Sequence, residues 1–342
     1  MDYPGEKSLI HFLKMLERNG IAPSIAAWKL RREGAAAIDV HRAQMLAVAQ
    51  TEMDISRIQS GEYVVVFDGG GTNLPRLVPV ARPSSEVVPV VCESPVSEAF
   101  TNLAIRTLRK ELNVARTLVR AGEVLLEGSE PPPSDYPDPD WLERWRENAS
   151  STSVERMQDL WAQVLVREVR RPGSFSLRAM DLLRCIDSRE AAKIEKVAPL
   201  AVNGRFIFVR RTTDESERWI AFGEAVELQE LGILAGVGGS GIGLQMTSTS
   251  SDDFSLGVRV GPYGLGLRGE DASLTVQLTG FKITAIGSEI LQLVAAEPEV
   301  SYVEDVGLFL KQQGLNVSLG RVLSDVSPGI SQEFELDDER AL

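Results

Sequence analysis

The chain has 342 residues, of which 43% are hydrophobic, and it carries a formal net charge of -13. This length allows two or three globular domains with buried cores. The negative charge disfavours a general nucleic-acid binder, which needs clustered Lys and Arg side chains. It also disfavours simple electrostatic adhesion to anionic lipid.

Few residues are available for metal or redox chemistry. The two cysteines, Cys92 and Cys185, form no CxxC pattern, and the two histidines, His11 and His41, form no HExxH or HxH pattern. The sequence therefore predicts no disulfide framework, metal site or His-based triad, and both histidines are expected on helix surfaces. Because there is no secretory signal and no apolar window of about 18 residues, we expect a cytoplasmic protein without a transmembrane helix.

The N-terminal region is predicted to be helical. Residues 8–19 have helical apolar spacing that stops at Gly20, and Pro23 opens a second helix at an allowed position. Residues 35–59 are rich in Ala, Gln, Met and Glu, and they predict one long helix that ends at Gly61.

A small β insert is predicted at residues 62–95. The runs EYVVVF, RLVPVA and EVVPVV are separated by Gly and Pro, so we expect short edge strands. The DGGGTN stretch at 68–73 is similar to the phosphate-binding turn of sugar kinases and actin-like ATPases. Because the further phosphate and adenosine loops of that fold are missing, we interpret it as a hairpin turn.

Residues 97–128 predict a long helix with a heptad seam. This seam packs either within the chain or against a second copy. The candidate interface residues are Ile105, Leu108, Leu112, Ala115 and Val119, and the seam continues to Gly122 and Leu126.

The Pro-rich stretch PPPSDYPDPD predicts an extended linker and a domain boundary. The predicted layout is a long-helix region at 1–130, this linker at 131–140, a Trp-rich helical module at 141–200, an α/β part at 201–330 and an acidic tail at 331–342. We expect the tail to be solvated and frayed.

In the Trp-rich module, Trp141 and Trp145 share one helix face and Trp161 lies on the next helix, so we expect all three in the core. Ser176 is predicted to N-cap a third helix. Glu168, with Arg178 and Asp181, brackets the turn before that helix and suggests an ion-pair cluster with a structural role.

The C-terminal part contains a GxGxxG match at 236–241. A dinucleotide site needs a strand before the glycines and a helix after them, whereas a helical stretch precedes and an alternating stretch follows. We therefore predict no cofactor.

Two alternating runs joined by a turn at 250–253 predict a β-hairpin at 242–262. Such a hairpin either packs on a soluble core or contacts a partner or membrane. Its candidate contact residues are Ile242, Leu244, Met246, Phe254, Leu256, Val258 and Val260.

The stretch SVERMQDLWAQVLVREVRRPGSFS resembles a bacterial family catalogued as domain of unknown function 2806. The positions that carry the resemblance are Gln158, Trp161, Ala162, Glu168 and the Pro-Gly-Ser-Phe-Ser turn at 172–176. Downstream, LQELGIL and LTGFKITAIG are similar to the end of a winged-helix unit. The same order occurs in abortive-infection proteins of the alpha type, which are tied to phage resistance, and the resemblance implies no catalytic residues.

These patterns predict an α+β protein with helical N-terminal and central regions and a C-terminal winged-helix-like part with an enlarged β-wing. The leading hypothesis is a non-enzymatic, homo-oligomeric interaction protein of bacterial antiphage defence whose protein partner is encoded nearby. Two alternatives remain open: a membrane-active, pore-forming-like effector that inserts the hairpin on activation, and a winged-helix DNA-binding regulator.

Overall fold

The computed structural model describes residues 5–21, 37–67, 75–79, 95–128, 131–209, 219–238, 241–323 and 335–342. The chain divides into two compact units, Met1–Phe175 and Ser176–Leu342. Helices combined with an antiparallel sheet confirm the predicted α+β class.

The first unit is mainly helical. Its elements are α1 (Glu6–Arg18), α2 (Ala37–Gln59), β1 (Tyr63–Phe67), β2 (Pro75–Pro79), α3 (Pro95–Glu127), α4 (Pro139–Ser150) and α5 (Glu155–Arg170). The predicted helices at 8–19 and 35–59 are confirmed as α1 and α2. Each is followed by a glycine with positive φ, 66° at Gly20 and 73° at Gly61, a conformation that other residues adopt at a cost.

Parts of the predicted β insert lie outside the described residues. These are the glycine turn at 68–73 and the third β-prone run at 86–91, and the same holds for the predicted helix start at Pro23. The two flanking strands, β1 and β2, pair antiparallel from Tyr63↔Pro79 to Phe67↔Pro75.

Helix α3 is the centre of the first unit, since it contacts α1, α2, α4 and α5. Because it has neighbours on several sides, the buried face does not follow a single heptad seam. Of the five candidate interface residues only Leu112 is buried, and the other four are half-buried. The fully buried apolar stripe is offset from the predicted seam and consists of Val114, Leu118, Ala121 and Leu125.

The predicted linker lies inside the first unit instead of at the division between the units. The helices on its two sides pack together, and Asn113 Nδ2 on α3 donates to the Ser150 carbonyl at the end of α4 over 2.9 Å. At the end of the linker, the Asp138 side chain N-caps α4 and Pro139 occupies its first turn.

The second unit combines five described helices with the main sheet. Its helices are α6 (Leu177–Cys185), α7 (Ser188–Val197), α8 (Phe222–Glu230), α9 (Ala285–Leu291) and α10 (Val300–Lys311). Its strands are β3 (Ala201–Val202), β4 (Phe206–Phe208), β5 (Leu234–Ala235), β6 (Ile242–Thr247), β7 (Phe254–Val260), β8 (Tyr263–Gly269), β9 (Thr275–Ile283), β10 (Asn316–Val322) and β11 (Leu336–Ala341). Within the described residues the sheet order is β11-β10-β8-β7-β3-β4-β9-β5, and β6 also pairs with β9.

The predicted pairing of the hairpin at 242–262 is wrong. Strand β6 pairs with β9, whereas β7 lies between β3 and β8. The turn at Gly261, whose φ is 58°, brings β8 directly back onto β7 from Val260↔Tyr263 onward. On its other side, β7 pairs with β3 at Val202↔Val260.

The side chains of the predicted hairpin lie against the core of this unit. Met246, Phe254, Leu256, Val258 and Val260 are buried, and Ile242 and Leu244 are half-buried. Their predicted contact with a partner or a membrane stays a prediction.

Residues 335–342, the described part of the predicted tail, are held by backbone pairing, so the expectation of a frayed end is wrong there. Strand β11 pairs with β10, and the Leu342 amide donates to the Val317 carbonyl over 3.0 Å. An acidic segment is able to form this strand because backbone pairing needs no apolar side chains. Charged residues are common on edge strands, where they discourage further pairing.

Tyr302 ties α10 to the middle of the sheet. Its side chain is fully buried, and its hydroxyl donates to the Leu200 carbonyl at 2.9 Å and accepts from the Phe208 amide at 3.0 Å. Burial raises the pKa of Tyr302, so the hydroxyl keeps its proton.

Candidate functional site

The residues that carry the family resemblance lie on α5 and on the turn after it. Gln158, Trp161, Ala162 and Glu168 are all buried on α5, and Phe175 is buried in the turn. A buried Glu needs partners for its carboxylate, since burying a charge without them is costly.

The Glu168 carboxylate holds the turn by its backbone. It accepts hydrogen bonds from the Gly173 amide at 2.6 Å, the Phe175 amide at 3.0 Å and the Ser174 hydroxyl at 3.3 Å. Gly173 has a φ of 82°, which other residues adopt only at a cost. Glu168 thus fixes the chain where α5 ends.

The three tryptophans are buried as predicted, and two of them donate hydrogen bonds to backbone carbonyls of this region. Trp141 Nε1 donates to the Phe175 carbonyl at 2.6 Å, and Trp145 Nε1 donates to the Trp161 carbonyl at 2.9 Å. Both indole N–H groups therefore hold the backbone of α5 or of its turn.

A polar layer lies between α3, α4 and α5. Gln158 Nε2 donates to the Thr152 carbonyl at 3.0 Å and contacts Asn113 Oδ1 at 3.4 Å. Asn148 is also buried, and its Nδ2 has no hydrogen-bond partner among the described residues. The paired groups of this layer, Gln158 and Asn113, favour one specific packing because a shift would leave them unpaired.

Ser176 begins the second unit and caps α6 as predicted. Its hydroxyl accepts from the Ala179 amide at 3.2 Å, and its own amide donates to Glu289 Oε2 at 2.6 Å. Glu168 uses its carboxylate on the turn, and Arg178 and Asp181 are exposed on α6, so the predicted ion-pair cluster stays a prediction.

Three arginines, Arg167, Arg170 and Arg171, lie at the C-terminal end of α5. Burial lowers the pKa of Arg167, and the charges of the other two lower it further. Arg170 Nη2 lies 3.4 Å from the Val124 carbonyl in the last turn of α3. Cations at helix C-termini are favourable because of the partial negative charge there.

The geometry of this site is that of a scaffold. The named hydrogen-bonding groups of Glu168, Trp141, Trp145 and Gln158 are directed mainly at backbone atoms. Among the described residues, no group of three or more His, Cys, Asp or Glu is arranged to hold a metal ion. In the same part of the chain, no helix is long and apolar enough to span a bilayer.

Residues 108–206 match the model of a family described as "Protein of unknown function (DUF2806)". This confirms the resemblance over that segment. The match runs from within α3 to the start of β4 and includes the whole scaffold around Glu168. No curated protein and no solved structure matches the chain.

His11 was expected on a helix surface and is instead buried. Its ring stacks on Tyr136 with centroids 4.4 Å apart and planes at 6°, and Arg18 lies 5.7 Å from the same Tyr136 ring. Burial lowers the pKa of His11, while its hydrogen bond with the Asp135 backbone opposes that shift. His11 Nε2 is buried with no hydrogen-bond partner among the described residues.

Sequence reasoning missed the residues that act across long separations. Glu289 lies far from Ser176 in the chain, and Tyr136 lies in a Pro-rich stretch that gave no sign of a ring contact. The one available signal was a histidine on the apolar side of an amphipathic helix, next to Phe12.

Proposed function

We propose that this chain is a non-enzymatic, homo-oligomeric interaction protein of bacterial antiphage defence that binds a protein partner in the cytoplasm. The observation that carries the proposal is the structural role of the residues that carry the family resemblance. They are buried and bind backbone atoms, so they build a scaffold and leave recognition to exposed surfaces.

Helix α2 supplies such a surface. Met45, Leu46 and Met53 are 46%, 66% and 56% exposed. Single exposed apolar residues are ordinary on protein surfaces. Leu46 and Met53, however, are one heptad apart, so they share one exposed face of the helix. Ile55 and Ile58 lie on its buried face.

The antiphage role rests on the resemblance to abortive-infection proteins and on the winged-helix-like order of the second unit. In that unit α8 is followed by β5, which pairs with β9, and α9 comes directly after β9. We interpret this order as winged-helix-like, with β6, β7 and β8 as the enlarged wing.

The charge of α8 favours a protein ligand over DNA. Glu224 and Glu227 pair with Lys196 and Lys193 of α7, and Glu230 is exposed. The lysines nearest to α8 are therefore already neutralised, whereas binding DNA phosphates needs unpaired cations.

Phage plating tests partner binding through this surface, and light scattering tests the homo-oligomer. Bacteria that express this chain with its neighbouring genes should resist phage, and the double variant Leu46→Ser/Met53→Ser should lose most of that protection. Glu143→Ser, at an exposed position of α4 outside this surface, is the control and should protect like the parent. Equal protection by parent and double variant, with equal protein levels, would refute the assignment of this surface.

A further inference from the structure

The small sheet of β1 and β2 has two chemically different edges. Tyr63 lies opposite Pro79, and Phe67 lies opposite Pro75. Proline has no N–H, so neither pair is able to exchange two backbone hydrogen bonds. Because bonded and non-bonded pairs alternate in antiparallel strands, these are non-bonded pairs, and so is the central pair Val65↔Leu77.

Residues in non-bonded pairs direct their N–H and C=O groups away from the partner strand. On β2 these residues are Pro75, Leu77 and Pro79, so its outer edge offers one N–H. On β1 they are Tyr63, Val65 and Phe67, and all three have an N–H. Within the described residues this sheet has no third strand. Among the described residues, the β1 edge therefore has no strand paired to it, and the β2 edge is blocked by proline.

We propose that β1 pairs antiparallel with β1 of a second copy of this chain, about a two-fold axis at Val65. In this register Val65 faces Val65 of the second copy, and Tyr63 faces Phe67 of the second copy. Every outward residue then meets an outward residue, which gives about six N–H···O bonds across the axis. The pairing joins two two-stranded sheets into one of four strands.

The sequence of β1 favours a second copy over an unrelated peptide. The strand reads YVVVF, so it has an aromatic residue at each end and valines between, and it is nearly the same in both directions. A symmetric register places unlike ends together and gives two aromatic cross-strand pairs, which are favourable. The five residues of the strand itself, YVVVF, include no charged side chain.

The low stability expected of a two-stranded sheet also favours pairing of β1 with a second copy. An isolated two-stranded hairpin is marginal in water, and sheets of three or more strands are much more stable. Leu77 and Val78 on β2 are 38% and 41% exposed, so β2 is incompletely buried. The inference deepens the proposed function, since it rests on the homo-oligomer and names the surface that forms it.

The first test is disulfide trapping with Val65→Cys. In a bonded antiparallel pair the two Cα atoms lie about 5.5 Å apart, within the range of roughly 4.4–6.8 Å that a disulfide spans. Mild oxidation should give a covalent dimer on a non-reducing gel. The matched control is Leu77→Cys on the blocked edge, which should dimerise no more than the parent with Cys92 and Cys185. Equal crosslinking of Val65→Cys and the parent would overturn the inference.

The second test is Val65→Pro, measured by light scattering over a range of concentrations. Because the Val65 N–H points away from β2, this proline leaves the β1–β2 bonds intact and removes two bonds from the dimer. It should weaken the dimer about tenfold or more, whereas Leu77→Pro should leave it unchanged. An oligomer that Val65→Pro leaves intact overturns the β1 pairing but not the proposed function. A monomeric parent overturns the pairing and the homo-oligomer, and phage plating still tests partner binding.

Discussion

The clearest test of the scaffold around the family-matched turn is Glu168→Ala. Glu168 is 2% exposed and accepts two backbone amides at 2.6 Å and 3.0 Å. Removing the carboxylate leaves those amides without their acceptor and empties the volume that the side chain filled.

The size of the effect follows from where the two amides lie. A hydrogen bond to a charged group contributes about 1.5–3 kcal/mol, so two bonds set an upper limit of about 6 kcal/mol. Gly173 is exposed, so its amide is able to bind water instead, whereas Phe175 is 2% exposed. We therefore expect a loss of about 2–4 kcal/mol from the free energy of unfolding of the first unit.

The assay is urea unfolding together with hydrogen exchange at Gly173 and Phe175. Exchange is needed because a chain with two compact units need not unfold in one transition. In Glu168→Ala the Phe175 amide should lose most of its protection. The matched control is Glu143→Ala at an exposed position of α4, which should change stability by less than about 0.5 kcal/mol.

A Glu168→Ala protein with parental stability and a protected Phe175 amide would refute this reasoning. Glu168→Gln separates charge from shape, because it keeps one oxygen and turns an NH₂ toward a donor. We expect it to lie between the parent and Glu168→Ala. If it matched the parent, the charge would have no part in holding the turn.

Three further predictions concern other contacts. Because burial lowers the pKa of His11 from 6.5, the unfolded chain binds the proton more readily, so stability should fall as pH drops through that value. Melting temperatures from about pH 8 to about pH 5 should show this slope, and His11→Phe, which keeps a ring on Tyr136, should remove it. Tyr302→Phe should cost about 1–3 kcal/mol in urea unfolding, since it leaves a buried amide and a carbonyl without their hydroxyl partner. Gly280→Ala should lower the melting temperature sharply, because its Cβ would overlap a backbone carbonyl of β4, whereas Gly243→Ala meets open space and should not.

Helices were the part of the fold that the sequence predicted best. Local signals were sufficient for α1 and α2: apolar spacing indicated α1, helix-favouring composition indicated α2, and a glycine with positive φ follows each. The same holds for the cap at Ser176 and for the buried tryptophans. Each of these features depends on residues within a few positions of one another.

Sheet pairing was predicted poorly because it depends on distant residues. The alternation in β6 and β7 indicated two strands correctly, but it carried no information on which strands they pair with. Strand β11 was missed because its LDDERA sequence has no apolar alternation, and the bonds to β10 hold it. The site was predicted in part: the sequence identified Glu168 but gave no sign that its partners are backbone amides.

Some strand edges are protected in ways that the β1 edge is not. On the main sheet β11 carries Asp337, Asp338 and Glu339, and Asp338 has a φ of 51° beside the register shift with β10. Charges and bulges of this kind keep an edge strand from recruiting other chains.

A side chain gives the same protection to β9. Gln313 accepts from the Gln277 amide and donates to the Gln277 carbonyl, each at 2.9 Å, so its amide group takes the place of a neighbouring strand. The outer edge of β2 is protected by proline. Strand β1 has an uncharged run of valines between two aromatic residues and carries none of these features. An edge of that composition invites aggregation unless it has a defined partner, and a second copy of β1 satisfies all of its outward backbone groups at once.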